Sequence, residues 1–255
     1  MLLAVDIGNT NIVVGVYKGE TLKDHFRVGS NRDLTSDEAG FFITGLLERM
    51  KITNEEIDKV ALGSVVPRLT PVFEVTAKKY FGCIPTVVTA HIKLPIKIMI
   101  DLPDQLGADR IANGVAAFHH FGGPVIVVDF GTTTNFDIVN SSGEYIGGVL
   151  IPGPETSMSE LARKAARLFE VRIERPATVV GKSTTAALKS GLFYGTVGQV
   201  DYLLEKIIAE TGFTSAKIIA TGGLAPAFEK HSRFIQRHEP ALTLEGLRLI
   251  GEMNS

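Results

Sequence analysis

The sequence predicts an α/β protein with mixed sheets, made of two related halves. Short β-branched and aliphatic runs of strand length alternate with segments whose apolar residues recur at helical spacing. Hairpin-like pairs of such runs open each half and strand–helix alternation follows, which calls for a mixed sheet. The chain also repeats itself. Asp6-Ile-Gly-Asn-Thr10 follows an apolar run at 2–5, and Asp129-Phe-Gly-Thr-Thr133 follows another at 125–128. A second apolar strand and a Gly-Glu turn, Gly19-Glu20 or Gly143-Glu144, come after each copy, and the two aspartates lie 123 positions apart. Two similar halves are therefore expected, 1–118 and 119–255, facing each other over a cleft.

Taken in order, strands are expected at 2–6, 12–17, 22–28, 59–64 and 86–89. A helix is expected at 36–50, where Thr35-Ser-Asp-Glu38 has capping-box spacing and Phe41, Phe42, Ile43, Leu46 and Leu47 form an apolar stripe. Further helices are read at 68–80 and 108–120. Strands resume at 125–130, 136–139 and 145–151, followed by helices at 155–169 and 185–210. A strand at 217–220 precedes Thr221-Gly-Gly223, and a last helix covers 243–250.

Composition narrows the function. There are 26 Lys+Arg against 28 Asp+Glu, a formal charge of −2, and no basic run, so no electrostatic footprint for nucleic acid or an acidic membrane surface exists. The apolar runs fall far short of the roughly 20 residues of a membrane span. Asp6 interrupts the first run too early for a signal peptide, and the lone Cys83 has no internal disulfide partner. A soluble, cytoplasmic protein is expected. One excess stands out: 26 glycines in 255 residues, about 10% against an average near 7%.

The glycines fall where chemistry is plausible. In a strand ending Asp-x-Gly-x-Thr, the glycine lets backbone approach an anion closely and take positive φ. The amides and hydroxyls after it, from Asn9, Thr10 and Asn11 or from Thr132, Thr133 and Thr134, can donate to phosphate oxygens. The aspartate cannot bind phosphate directly; a cation or cation-bound water is its natural ligand. The alternative is a pair of plain hairpin turns capped by Asp, against which three consecutive threonines argue. Leu106-Gly-Ala-Asp109-Arg110 opens a helix, with Asp109 and Asn113 on one face. There the helix dipole is expected to lower the Asp109 pKa and keep it ionised. Asp109 then orients a hydroxyl, or only stabilises the helix; Arg110 clamps a carboxylate, or only lies at the surface. Glycines at Thr221-Gly-Gly-Leu224 would let a flat base or ribose lie on the backbone, or form a plain strand-to-helix turn.

Together, Asp6-x-Gly-Asn-Thr, Gly107-Ala-Asp-Arg110, Asp129-x-Gly-Thr-Thr, Gly147-Gly148-x-x-x-Pro152-Gly153 and Gly181-x-x-Thr184 resemble the type III pantothenate kinases. These belong to the sugar kinase, heat-shock chaperone and actin ATPase superfamily. The resemblance implies duplicated actin-like ATPase (ribonuclease H-like) domains and ATP-dependent phosphorylation of pantothenate, the first step of coenzyme A synthesis. It also implies Mg2+, a monovalent cation (K+ or NH4+) and a homodimer. Carried over, Asp6, Ile7, Gly8, Asn9, Thr10, Asn11, Ile12 and Val13 look like the first ATP phosphate loop and Thr132 part of the second. Asp129 resembles the monovalent-cation ligand and Asp109 the general base. Gly107, Ala108, Asp109, Arg110 and Thr184 resemble the pantothenate contacts. One departure is Ile100, where the family usually has a substrate-contacting Tyr; losing that hydrogen bond is worth about 0.5–1.5 kcal/mol. Two rivals remain at this point: another small-molecule kinase of the superfamily, and a nucleotide-binding regulator without catalysis.

Overall fold

The computed structural model describes residues 1–255. It divides into two units, Met1–His120 with Ala241–Ser255, and Phe121–Pro240. In the first unit, β1 (Leu2–Ile7), β2 (Asn11–Lys18) and β3 (Thr21–Gly29) form an antiparallel meander. Helix α1 (Ser36–Arg49) starts at the expected capping box: the Thr35 hydroxyl accepts from the Glu38 amide at 3.2 Å, and the Glu38 carboxylate accepts from the Thr35 amide at 2.8 Å. Strand β4 (Lys59–Ser64) then pairs in parallel with β1. Helix α2 (Thr70–Phe81) ends at Gly82, whose φ of 69° closes it in the left-handed conformation. After β5 (Thr86–Val87), parallel to β4, come β6 (Lys97–Ile98) and α3 (Ala108–Phe121). The strand order is β3-β2-β1-β4-β5. Aliphatic residues of β1, β2 and β4 pack against α1 and α2 to form the core.

The second unit repeats the plan. Strands β7 (Val125–Phe130), β8 (Thr133–Val139) and β9 (Glu144–Pro152) are antiparallel neighbours, followed by α4 (Pro154–Lys164) and the long α5 (Thr184–Thr211). Strand β10 (Lys217–Thr221) joins β7 in parallel, α6 (Ala225–Phe228) follows, and β11 (Arg237–His238) pairs with β10. Its strands run β9-β8-β7-β10-β11, the order of the first unit. Phe130, Phe193 and Phe228 anchor its core. No helix is long and apolar enough to cross a membrane.

The last helix, α7 (Leu242–Met253), groups with the first unit, whereas the sequence reading assigned all of 119–255 to the second half. The reason is steric fit. Gly251 of α7 lies against Ala61 of β4, and Leu247 of α7 fills the space left by Gly63. Other differences are local: β6, α6 and β11 are short elements with no clear pattern in the sequence. Helix α4 stops at Lys164 instead of running to 169: Leu168 lines a cavity that Leu161 also lines, and Phe169 is exposed. Strand β8 begins at Thr133, three residues early, because polar Asn135 pairs with Asp129 where no apolar pattern marks a strand.

Candidate active site

In the first unit, both predicted segments lie at the carboxyl ends of the parallel strands β1 and β4, where α/β sheets commonly bind ligands. The Ile7–Ile12 pair closes a loop in which the Gly8 amide donates to the Asn11 carbonyl at 3.0 Å. A methyl group on Gly8 would lie 2.9 Å from that carbonyl oxygen, so glycine is required by close approach. Ser30 braces the loop, its hydroxyl donating to the Gly8 carbonyl and its amide to the Thr10 carbonyl. Asn9 and Thr10 are exposed at the tip, while the Ile7 and Ile12 side chains belong to the core. Those two isoleucines can therefore meet a ligand only through main chain. The same strand ends carry the second segment: the Val65 amide donates to the Ile7 carbonyl, and the Val65 side chain faces Gly107.

Asp109 stands in the first turn of α3, and its carboxylate accepts from the Arg110 amide at 2.8 Å. A methyl on Gly107 would lie 2.4 Å from the Asp109 Oδ1 atom, so glycine makes room for the carboxylate. Burial pushes the Asp109 pKa up, overriding the Arg110 amide and the Arg110 charge, which pull it down. This reverses the lowering expected from the helix start: desolvation is the larger effect here. A carboxylate with a raised pKa is the better proton acceptor.

In the second unit, the corresponding loop is one residue shorter, with Phe130 paired to Thr134. The Gly131 amide donates to the Thr133 carbonyl at 3.0 Å. Glycine packing surrounds this loop. A methyl on Gly153, just before α4, would lie 2.3 Å from the Gly131 carbonyl oxygen, and the Gly153 amide donates to the Thr132 carbonyl at 3.0 Å. Thr156 donates its hydroxyl to the same carbonyl at 2.7 Å. A methyl on Gly222, after β10, would sit 2.4 Å from the Asp129 Oδ1 atom. Thus Asp129, Thr132, Gly153 and Gly222 converge at the ends of β7 and β10.

The three threonines do not act together. Thr132 is exposed, Thr133 donates to the Asn135 carboxamide at 2.7 Å, and the Thr134 hydroxyl is fully buried without a hydrogen-bond partner. Thr133 and Thr134 are consecutive in β8, so their side chains point to opposite faces. Positive φ also appears elsewhere than expected. It is found at Gly19 and Gly143, in the Gly-Glu turns, and not at Gly8 or Gly131.

Thr184 is the first residue of α5, after Ser183, whose hydroxyl caps the helix by accepting from the Ala186 amide at 3.2 Å. Gly181 lies so close to the Ala187 amide that a methyl there would be 2.3 Å away. Thr184, Lys182 and Thr134 share a cavity of about 830 Å³ with apolar walls that include Ile151, Met158 and Leu188. No cluster of three His, Cys, Asp or Glu side chains with metal-binding geometry exists. Each unit instead offers one carboxylate beside glycine backbone, Asp6 in the first and Asp129 in the second, and a lone carboxylate suits a cation held mainly by phosphate oxygens. Burial raises the Cys83 thiol pKa, as fits a packing residue.

Sequence reasoning missed Ser30, Thr156 and Val65, which bind backbone or pack and carry no motif of their own. It left Gly222 as either a platform for a flat ligand or a plain strand-to-helix turn; Gly222 lies in the turn from β10 to α6, where an added methyl would come nearest the Asp129 carboxylate.

The match to known proteins is extensive. A family model described as type III pantothenate kinase matches residues 2–206. The chain is 44% identical to a type III pantothenate kinase of Moorella thermoacetica and 47% identical to one of Frankia casuarinae, in each case over 100% of both chains. Among solved structures, a Baf family protein of Campylobacter jejuni superimposes with a TM-score of 0.60 at 21% identity, covering 99% of this chain and 98% of that one. MreB5 of Spiroplasma citri, bound to ADP, gives 0.54 at 14% identity over 99% and 96%. These structures share the actin-like ATPase fold.

Proposed function

The chain belongs to the type III pantothenate kinase family and phosphorylates pantothenate in coenzyme A synthesis; we propose that Asp109 is the carboxylate that receives the proton of the attacking hydroxyl. The observation that carries this reading is the buried Asp109 carboxylate, fitted against Gly107 at the head of α3 and raised in pKa. The pantothenate hydroxyl oxygen attacks the γ-phosphorus of ATP, the bond to the ADP oxygen breaks, and the proton passes to Asp109. Because the transition state is loose, Asp109 mainly orients the nucleophile.

The remaining assignments follow the same reading. The loop of Asp6, Ile7, Gly8, Asn9, Thr10, Asn11, Ile12 and Val13, with Thr132, holds the phosphates, through donors at Asn9, Thr10 and Asn11 in the first loop. Gly107, Ala108, Asp109, Arg110 and Thr184 bind pantothenate, Arg110 pairing with its carboxylate. Asp129, seated against Gly222, holds K+ or NH4+. Bound Mg2+ and the monovalent cation neutralise phosphate charge. We also infer a cytoplasmic homodimer; the exposed Leu150, Leu161, Phe169, Val179 and Val180 give the second unit apolar surface for a second copy to cover.

The test is an ATP/pantothenate assay with 4'-phosphopantothenate identified by mass spectrometry. Asp109→Asn is expected to lower kcat by about 10²–10⁴-fold while nucleotide binding, read by calorimetry, persists. Near-normal kcat in that variant would remove Asp109 from the base role.

A further inference from the structure

We propose that α7 is a positioning element for Asp109, with Gly246 and Thr243 setting where α3 lies. The inference rests on the reading of Asp109 as the base. It concerns a helix outside residues 2–206, the part of the chain matched by the family model.

The contact is backbone against backbone. A methyl on Gly246 would lie 2.0 Å from the Ala112 carbonyl oxygen, 2.4 Å from its carbonyl carbon and 2.7 Å from its Cα. No side chain intervenes to absorb a displacement. Beside it, the Thr243 hydroxyl donates to the Asn113 carboxamide oxygen at 2.8 Å, and Asn113 is fully buried. Ala112 and Asn113 are three and four residues beyond Asp109, which places both contacts one helical turn from the carboxylate. The far side of α7 is fixed as well: a methyl on Gly251 would lie 2.8 Å from the Ala61 Cβ, and Leu247 packs on Gly63. Helix α7 is therefore wedged between strand β4 and α3. A hydrogen-bonded helix moves as a body over one turn, so a shift at Ala112 arrives at Asp109 nearly undiminished. Misplacement of a reacting group by about 1 Å can cost about 100-fold in rate.

Gly246→Ala and Gly251→Ala separate positioning from stability. Both add one methyl to α7 at a tight contact, but only the first faces α3. For Gly246→Ala, kcat is expected to fall by about tenfold or more, with KM for ATP changed less than about twofold. Gly251→Ala is expected to lower thermal stability and to reduce kcat less than Gly246→Ala does. Thr243→Val should lower kcat, and Thr243→Ser, which keeps the hydroxyl, should restore it; this pair decides the matter if Gly246→Ala fails to fold. Equal kcat losses in the two glycine variants, or wild-type kcat in Thr243→Val, would overturn the proposal. Asp109→Asn run alongside separates the two ideas. If it keeps near-normal kcat, the base assignment has failed, whereas a Gly246-specific loss of kcat beside an inactive Asp109→Asn supports the positioning role.

Discussion

Replacing Gly222 with alanine puts one methyl group where the structure has no space for it. Two costs add. Gly222 has a φ of +89°, and a side chain in left-handed backbone costs about 1–3 kcal/mol. The methyl would also lie 2.4 Å from the Asp129 carboxylate oxygen, 2.6 Å from the Phe130 carbonyl oxygen and 2.7 Å from the Phe130 nitrogen. Ordinary Cβ contacts exceed 3.0 Å, so Asp129 or the β10 end must shift by about half an ångström. Overpacking of this kind costs about 1–3 kcal/mol. The total is about 2–6 kcal/mol. Gly212→Ala is the control, since Gly212 has a φ of +72° but nothing within 4 Å of the added methyl, leaving only the conformational cost. Urea unfolding should show the larger loss for Gly222→Ala. Because the displaced group is the proposed cation ligand, the K+ concentration for half-maximal activity should rise in Gly222→Ala and stay unchanged in Gly212→Ala. The reasoning is refuted if the two variants lose equal stability, or if the K+ activation curve of Gly222→Ala overlays that of wild type.

Four other outcomes are expected. The raised pKa of buried Asp109 means that the folded state disfavours the ionised carboxylate, a burden absent at low pH and present once the group ionises. Asp109→Asn should thus be more stable than wild type near neutral pH, the difference shrinking as pH falls below the folded pKa, read from urea midpoints across pH. For the same reason the acid limb of wild-type kcat/KM should lie above the ordinary aspartate range. Arg248 is 2% exposed and donates to Glu245 at 2.6 and 2.9 Å and to Glu252 at 2.7 Å; Arg248→Ala should cost about 1.5–3 kcal/mol in urea unfolding by removing these charge-assisted bonds, the carboxylates keeping access to water. Turnover should require K+ or NH4+, and equal rates in Na+ alone would count against Asp129 as the monovalent-cation ligand.

The features legible in the sequence were those with a strong local cause. The capping box at Thr35 and Glu38, the apolar runs of β1 and β7, and the duplicated Asp-x-Gly turns all carry their meaning within a few residues. The nearly equal Asp-to-Glu spacing of the two copies concealed compensating changes: the second loop is one residue shorter, while the far end of its hairpin is two residues longer. What escaped depends on partners distant in the chain. Nothing local in Thr243 indicates that it bonds Asn113, 130 residues away. The sign of the Asp109 pKa shift depends on how deeply the side chain is buried, and a helix-start pattern cannot supply that. The role of Gly222 likewise needed the position of Asp129 in space.

The first unit is interrupted in sequence, and this has a bearing on the order of synthesis. Residues 121–240 are contiguous and can form their own core as soon as they emerge, as domains generally do. The first unit cannot be completed then, because α7 lies at 242–253. At roughly 5–20 residues per second, the second unit's whole length is made about one to three seconds before residue 255 is added. During that interval the surfaces of Ala61, Gly63 and Ala112 that later meet α7 have no cover. A chain halted in this window has the full sequence of the second unit but lacks α7, which leaves Asp109 on a helix without its final support.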